Sequence, residues 1–266
     1  MRTSILPRAA AFLSLALVCA LPALAQAPKK VLVVTVTKGF RHSSIPTAEQ
    51  VIGKLGDQSK AFTVDYARTD EEVATKMAPA ALGNYDAFIF ANTTGILPVP
   101  DKAAFLNAVK GGKAFIGMHS ASDTYHGKDT VDPFIEMLGG EFLTHGAQAG
   151  VECLVTDLDH PSTKHFKGTG GVYCIQQEEI YLIKNYDPKK VRDLLILDKH
   201  PNNKKQPGHF PVSWCKAYGQ GRIFYTTLGH REDVWENDLY QQHILGGIKW
   251  ALGLEPGEST PLPDQK

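Results

Sequence analysis

Val31-Leu32-Val33-Val34-Thr35-Val36 is a run with no polar residue but Thr35, and four of its six members are valine. A strand with one wet face alternates apolar and polar residues. A run without that alternation is covered on both faces, as strands of parallel sheets are. Outward from this run the pattern repeats. Pro46 suits the first turn of a helix reaching about Leu55. Phe62–Tyr66 reads as a second strand, and Thr69 with Glu72 as a capping box for a short helix. Tyr85–Ala91 is a third buried strand. Asp101 caps a helix whose Phe105, Leu106 and Val109 share one face, with Gly111-Gly112 at its end. Lys113–Met118 is a fourth strand, and Pro133–Leu138 belongs to another helix. Four strand–helix units in succession predict an α/β fold, a parallel sheet flanked by helices.

The second half lacks that rhythm. Val151–Val155, Val172–Ile183, Asp193–Leu197, Pro211–Ala217 and Arg222–Thr227 are strand candidates joined by loops, the last two through a Gly219-Gln220-Gly221 hairpin turn. Tyr240–Leu252 reads as a closing helix. These features predict one domain over 26–254 with an antiparallel extension in its second half, followed by a flexible, Pro-rich tail at 255–266.

Composition narrows the function classes. The 266 residues carry 28 Lys+Arg against 28 Asp+Glu, and 43% are hydrophobic. That balance describes a globular domain and excludes a nucleic-acid partner held by bulk electrostatics. Residues 1–25 read as a secretory signal peptide: Arg2 and Arg8, an apolar run from Ala9 to Leu21, then Ala23-Leu24-Ala25 before Gln26. The run is shorter than the ~20 residues that span a bilayer. The expected location is therefore periplasmic or secreted, with no stable membrane span after cleavage. Cys153, Cys174 and Cys215 then allow at most one disulfide.

In an open parallel sheet, ligands bind beyond the carboxyl ends of the strands. His42 lies beyond the first strand, and His119-Ser120 beyond the fourth. His145 follows Gly139–Thr144 in a loop, and His230 follows the last strand. Gly117-Met118-His119-Ser120-Ala121 has the small flanking residues of a nucleophile elbow, with imidazole where a nucleophile would stand. No Gly-rich stretch has the spacing of a dinucleotide or phosphate loop, since Thr169-Gly170-Gly171 precedes a strand.

Five segments carry a family resemblance: Gly117–Ala121, Gly139–His145, Glu178-Glu179-Ile180-Tyr181, Pro211-Val212-Ser213-Trp214 and Gly219–His230. Together they resemble the trehalose-utilisation (ThuA-like) family across Val31–Leu254. The resemblance implies a flavodoxin-like sheet related to class I glutamine amidotransferases, and a carbohydrate or keto-sugar ligand. Those amidotransferases pair an elbow Cys with a distal His-x-Glu. Here His230-Arg231-Glu232 supplies the second half while His119 replaces the thiol, so glutaminase chemistry is not expected.

The expected function is an exported carbohydrate-active enzyme; the alternative is a non-catalytic carbohydrate-binding accessory module. His119, His145, His230 and Glu179 are the candidate acids and bases. His42, Ser120, Tyr125, Tyr181, Trp214 and Arg231 are candidate substrate contacts. Trp214 reads equally as a core residue. A divalent metal such as zinc would draw on His119, His145 and His230. Asp123 is a second carboxylate for glycoside chemistry, and Glu232 a carboxylate to orient His230.

Overall fold

The computed structural model describes residues 27–127 and 130–263. The expected signal peptide lies outside them. Five strands run parallel: β1 (Lys29–Val34), β2 (Phe62–Ala67), β3 (Ala87–Ala91), β4 (Ala114–Met118) and, from the far end of the chain, β11 (Gly221–Thr226). Their order is β2-β1-β3-β4-β11. Four antiparallel strands extend this sheet beyond β11: β10 (Pro207–Tyr218), β9 (Arg192–Lys199), β6 (Ala149–Val155) and β7 (Val172–Glu178). A separate ribbon pairs β5 (Glu141–His145) with β8 (Tyr181–Lys184).

Successive side chains of a strand point to opposite faces, and here both faces are dry. Val31, Val33, Ile89, Ile116 and Phe224 pack against α1 (Ile45–Ser59) and α6 (Asp238–Ala251) through Ile52, Ile244 and Ile248. Leu32, Val34, Phe88, Phe90 and Phe115 face the other way, onto α3 (Lys102–Lys110) and α4 (Pro133–Leu138). There Phe105 and Phe134 meet Phe115 edge-on at centroid distances of 6.1 and 5.4 Å. The caps form as the sequence predicts: Thr69 Oγ1 accepts from Glu72 N at 3.2 Å, and Asp101 Oδ1 from Ala104 N at 2.8 Å. Glu72 reaches back to the Arg68 amide at 2.7 Å, one residue short of the reciprocal box.

Two expectations need correction. Val172–Ile183 is not one strand, because the buried Glu178 carboxylate accepts the amide of Glu179 at 2.7 Å and turns the chain. The pieces on either side join different sheets. Glu141–His145, read as loop, is the strand that pairs with the second piece.

Cys153 and Cys215 are buried, Cys174 is exposed, and all three are free. Glu255 to Glu258, after the closing helix, lie against the body. Glu255 pairs with Lys164 and Lys249 at 2.6 and 3.1 Å, Trp250 donates to Gly257 O at 3.0 Å, and the Cys215 thiol donates to Glu258 O at 3.6 Å. Of these three, only Cys174 should react with a maleimide in the native protein; deletion of 255–266 should make Cys215 reactive as well. Mass spectrometry of the labelled protein reads both results. Among the described residues no helix is long and apolar enough to cross a membrane.

Candidate functional site

Chain connectivity brings the site together. β1 pairs with β2 on one side and β3 on the other, which makes the β1/β3 boundary a topological switch point where a crevice opens. The loop after β1 delivers His42, and the 3₁₀ turn His119–Asp123 follows β4. Although β11 is last in sequence, it lies beside β4, so its exit delivers Thr227 to His230 to the same edge. Ring centroids of His42 and His119 are 4.6 Å apart, those of His42 and His230 5.1 Å, and those of His119 and His230 5.3 Å.

His119 has the elbow geometry that its flanking sequence suggests. Its φ is +50°, a conformation that non-glycine residues adopt at a cost, often at functional sites. Tyr225 holds the strained turn, its hydroxyl 2.6 Å from His119 O and 2.7 Å from Ser122 Oγ. Gly117 is required by close approach: a Cβ there would stand 2.8 Å from Tyr225 Cδ2 and 3.0 Å from Leu138 Cδ1. Gly117→Val should therefore cost about 1–3 kcal/mol of stability, measured as a lower urea midpoint at unchanged slope. The imidazole of His119 is fully buried, and its Nδ1–H donates to Thr227 O at 2.8 Å. That bond fixes the tautomer and leaves a lone pair on Nε2. Two groups meet this lone pair, Tyr181 Oη at 2.9 Å and His42 Nε2 at 3.1 Å.

Glu179 closes the cluster. Its Oε2 is 3.2 Å from His230 Nδ1 and 3.7 Å from His119 Nε2, and its Oε1 is 3.0 Å from His145 Nδ1. Glu178, which the sequence reading left without a role, aims its neighbour: one oxygen accepts from Glu179 N and the other from Gly229 N at 3.1 Å. It thereby ties the β7–β8 turn to the loop after β11. Burial pushes the Glu178 carboxyl up to about 7. Gly229 itself, at φ +118°, has no room for a Cβ, which would meet Tyr240 Oη at 2.9 Å.

The histidines are held in different charge states. Burial, reinforced by His230, lowers His42 to about 4, and burial with His42 beside it places His119 well below the usual imidazole range. Burial works against a proton on His230 too, yet the Glu179 carboxylate outweighs it and raises that group. Glu179 in turn is lowered because His230 overcomes its own desolvation. The site thus sets a carboxylate beside one imidazole whose proton affinity it raises and two whose proton affinity burial lowers.

A cavity of about 200 Å³ opens over this cluster, lined by His42, Ser120, Asp123, His145, Glu179, Tyr181 and His230. Phe40, Thr94 and Phe142 complete the lining; none of them was among the expected contacts, although Phe142 lies within the Gly139–His145 segment. Other expected contacts lie elsewhere. The Trp214 indole is fully buried and donates to Leu138 O at 2.8 Å, so it belongs to the core. Tyr125 donates to Leu97 O at 3.1 Å and borders a neighbouring cavity. Arg231 bonds Asp233 at 2.8 Å and Gln148 at 2.9 Å. Glu232 accepts from Ser43 at 2.6 Å, so the carboxylate against His230 is Glu179.

The donor set also fits a divalent cation. Tetrahedral zinc with ligand bonds of about 2.1 Å needs ligand atoms about 3.4 Å apart. One nitrogen from each of His42, His119 and His230 and one Glu179 oxygen all fall within 4.8 Å of one another, and the closest pairs stand at 3.1, 3.2 and 3.7 Å. His230 Nδ1 is buried without a hydrogen bond, since Glu179 Oε2 is near but off the N–H direction. Such an atom suits a ligand better than a donor. His42 takes the place that the sequence reading gave to His145, which contacts the other oxygen of Glu179 instead.

Residues 30–251 match the family ThuA, described as trehalose utilisation. A ThuA-like protein from Bacteroides uniformis ATCC 8492 superposes with a TM-score of 0.68 at 25% identity, covering 86% of this chain and 94% of that one. A second, from Parabacteroides merdae ATCC 43184, gives 0.65 at 18% identity, covering 85% and 90%. A beta-galactosidase from Bacillus circulans sp. alkalophilus shares the fold in part of its length: TM-score 0.54 at 13% identity, over 88% of this chain and 32% of that one. The fold resembles that of class I glutamine amidotransferases. No curated protein matches the sequence.

Proposed function

Because the chain belongs to the ThuA trehalose-utilisation family, we propose that it is an exported enzyme acting on a sugar or keto-sugar derivative at the His42–His119–Glu179–His230 centre. The observation that carries this reading is a cluster of three imidazoles and one carboxylate, of which His42, His230 and Glu179 line a cavity walled by both polar and aromatic groups while His119 is buried behind them. A sugar ring has polar edges and apolar C–H faces, and sites for such ligands combine flat apolar walls with a few fixed polar groups. Phe40, Phe142 and Tyr181 supply the walls; Thr94, Ser120 and Asp123 supply hydroxyl partners.

His230, whose proton affinity the Glu179 carboxylate raises, is placed to give a proton to a carbonyl or leaving oxygen. His42 is neutral and accepts one. The Tyr181 hydroxyl donates toward the centre from the opposite wall. A divalent metal held by His42, His119, His230 and Glu179 would occupy the lone pairs on which those proton transfers depend, and would supply Lewis-acid polarisation of a substrate oxygen in their place. Glutamine hydrolysis is not part of this reading, for the elbow carries imidazole and no cysteine lines the cavity.

The test is incubation of the purified protein, with and without zinc, with a panel of disaccharides and keto-glycosides, followed by product detection. Product that His119→Ala and His230→Ala both remove supports the enzyme. Binding without product from any sugar replaces it with the binding-module reading, which would use the same walls for recognition. Export predicts a mature chain beginning at Gln26 in the periplasm or medium, read by amino-terminal sequencing; an intact Met1 would refute it.

A further inference from the structure

Two carboxylates line the cavity over the His42–His119–Glu179–His230 centre, Glu179 and Asp123. Both oxygens of Glu179 already face imidazole nitrogens, His145 Nδ1 at 3.0 Å and His230 Nδ1 at 3.2 Å. Other polar groups of the lining are engaged as well. Thr94 Oγ1 accepts from Gly39 N at 3.1 Å and donates to Phe40 O at 3.0 Å, and the Tyr181 hydroxyl lies 2.9 Å from His119 Nε2. Asp123 differs. Its Oδ1 is 3.2 Å from His126 Nδ1, and among the described residues no donor reaches its Oδ2.

The carboxylate is held in this position. Asp123 ends the 3₁₀ turn that follows β4, and Gly95 N donates to its carbonyl at 3.1 Å. The next residue, Thr124, is buried against Thr93 with the two hydroxyls 2.7 Å apart. Behind His126 stands Glu141, whose Oε1 is 3.6 Å from the same Nδ1. Glu141 is buried and is tied in turn by Lys184 at 3.2 Å and by the Asn185 amide. Burial raises the Asp123 carboxyl; His126 opposes that shift and Glu141 adds to it. Asp123 is thus a fixed, half-buried acceptor that lacks one donor. A ligand that fills the cavity takes water from Oδ2, and an anionic oxygen left without a replacement donor is costly. A ring hydroxyl supplies that donor in a charge-assisted hydrogen bond. A C–H group or an ester at the same ring position supplies none, and a phosphate adds like-charge repulsion.

Resting on the sugar reading above, we propose that Asp123 determines specificity by accepting one ring hydroxyl on Oδ2. The substrate class is then a sugar whose hydroxyl at that position is free, neither acylated nor phosphorylated. Calorimetry tests this in two stages. The methyl glycosides of glucose, galactose and mannose and their keto derivatives are compared first, and the tightest binder becomes the parent for a series of monodeoxy analogues. One analogue should bind the wild type on the order of tenfold more weakly than the parent, the loss expected when a hydrogen bond to a charged group goes unmade. Asp123→Asn is isosteric and keeps the fold. His126 Nδ1 claims its amide oxygen, so the NH₂ turns into the cavity and only a weaker neutral contact remains; the gap should shrink to about threefold or less. A phosphate ester at the hydroxyl so identified should not bind the wild type measurably. Equal binding by the parent and every analogue, a gap that the variant keeps, or a phosphate ester that binds as well as the parent overturns the role of Asp123 and leaves the sugar reading standing. Absence of binding by every glycoside of the first panel overturns both.

Discussion

Glu179→Gln will reduce turnover by about 10²–10⁴-fold, the usual contribution of a positioned acid–base group, while leaving the fold intact. One carboxylate meets three imidazoles here, at 3.0 Å for His145, 3.2 Å for His230 and 3.7 Å for His119. The amide is nearly isosteric, so packing is preserved, but it carries no charge and one of its two heads is a donor. Two consequences can be measured apart from activity. His230, which Glu179 raises against the effect of burial, should titrate at lower pH in the variant, visible in its imidazole resonances. Zinc affinity should fall by at least the 10–100-fold typical of disturbed metal surroundings, because the variant loses the only anionic donor in the cluster. If the His230 resonance does not move, Glu179 does not control its proton, and the acid role assigned to His230 fails with it.

The parallel half of the fold was legible because burial on both faces leaves a mark that survives in sequence. β1, β3 and β4 are apolar runs without alternation, and their flanking caps at Thr69 and Asp101 form as read. The break at Glu178 was not legible, since its cause is tertiary. The carboxylate turns the chain by accepting amides from Glu179 and from Gly229, 51 residues away, and no local pattern encodes that pairing. The candidate site followed the same division. His42, His119 and His230 could be named because each follows a strand on one side of a sheet, where the topology gathers them. Phe40 and Phe142 could not, because an aromatic residue in a loop or strand reads as core until its exposure is known; Phe40 proves 67% exposed. Tyr125 misled in the opposite direction, while for Trp214 the sequence left sugar stacking and core packing equally open. Each spends its polar atom on a backbone carbonyl inside the packed body.

Acid should destabilise this protein steeply below pH 6.5, through buried histidines remote from the site as well as those within it. His160 Nδ1 accepts from Ser162 N at 3.2 Å and lies 2.8 Å from Ser162 Oγ, so a proton there would leave the buried Ser162 amide without its acceptor, while the hydroxyl could turn to accept. His243, fully buried beside Phe224, donates Nδ1–H to Ser162 O at 2.8 Å. Burial lowers these two groups to about 4 and about 3. Above 6.5 both folded and unfolded chains hold them neutral and nothing is lost. As pH falls through 6.5, the unfolded chain takes up protons that the folded chain refuses, and stability declines until the folded values are reached. Each such histidine contributes about 1.4 kcal/mol per pH unit. His42 and His119 act in the same direction, whereas Glu178, raised by its own burial, opposes them between about 7 and 4.5. The histidines outnumber it, giving a net loss of roughly 4 kcal/mol per pH unit. For a chain of this size that is a fall in Tm of about 8–16 °C per unit, which calorimetry between pH 7 and 4.5 will resolve. His160→Gln isolates the cause, because its carbonyl oxygen can accept from Ser162 as Nδ1 does but cannot be protonated. The variant should lose less stability than the wild type on acidification, and parallel profiles for the two proteins would mean that His160 is not among the groups responsible.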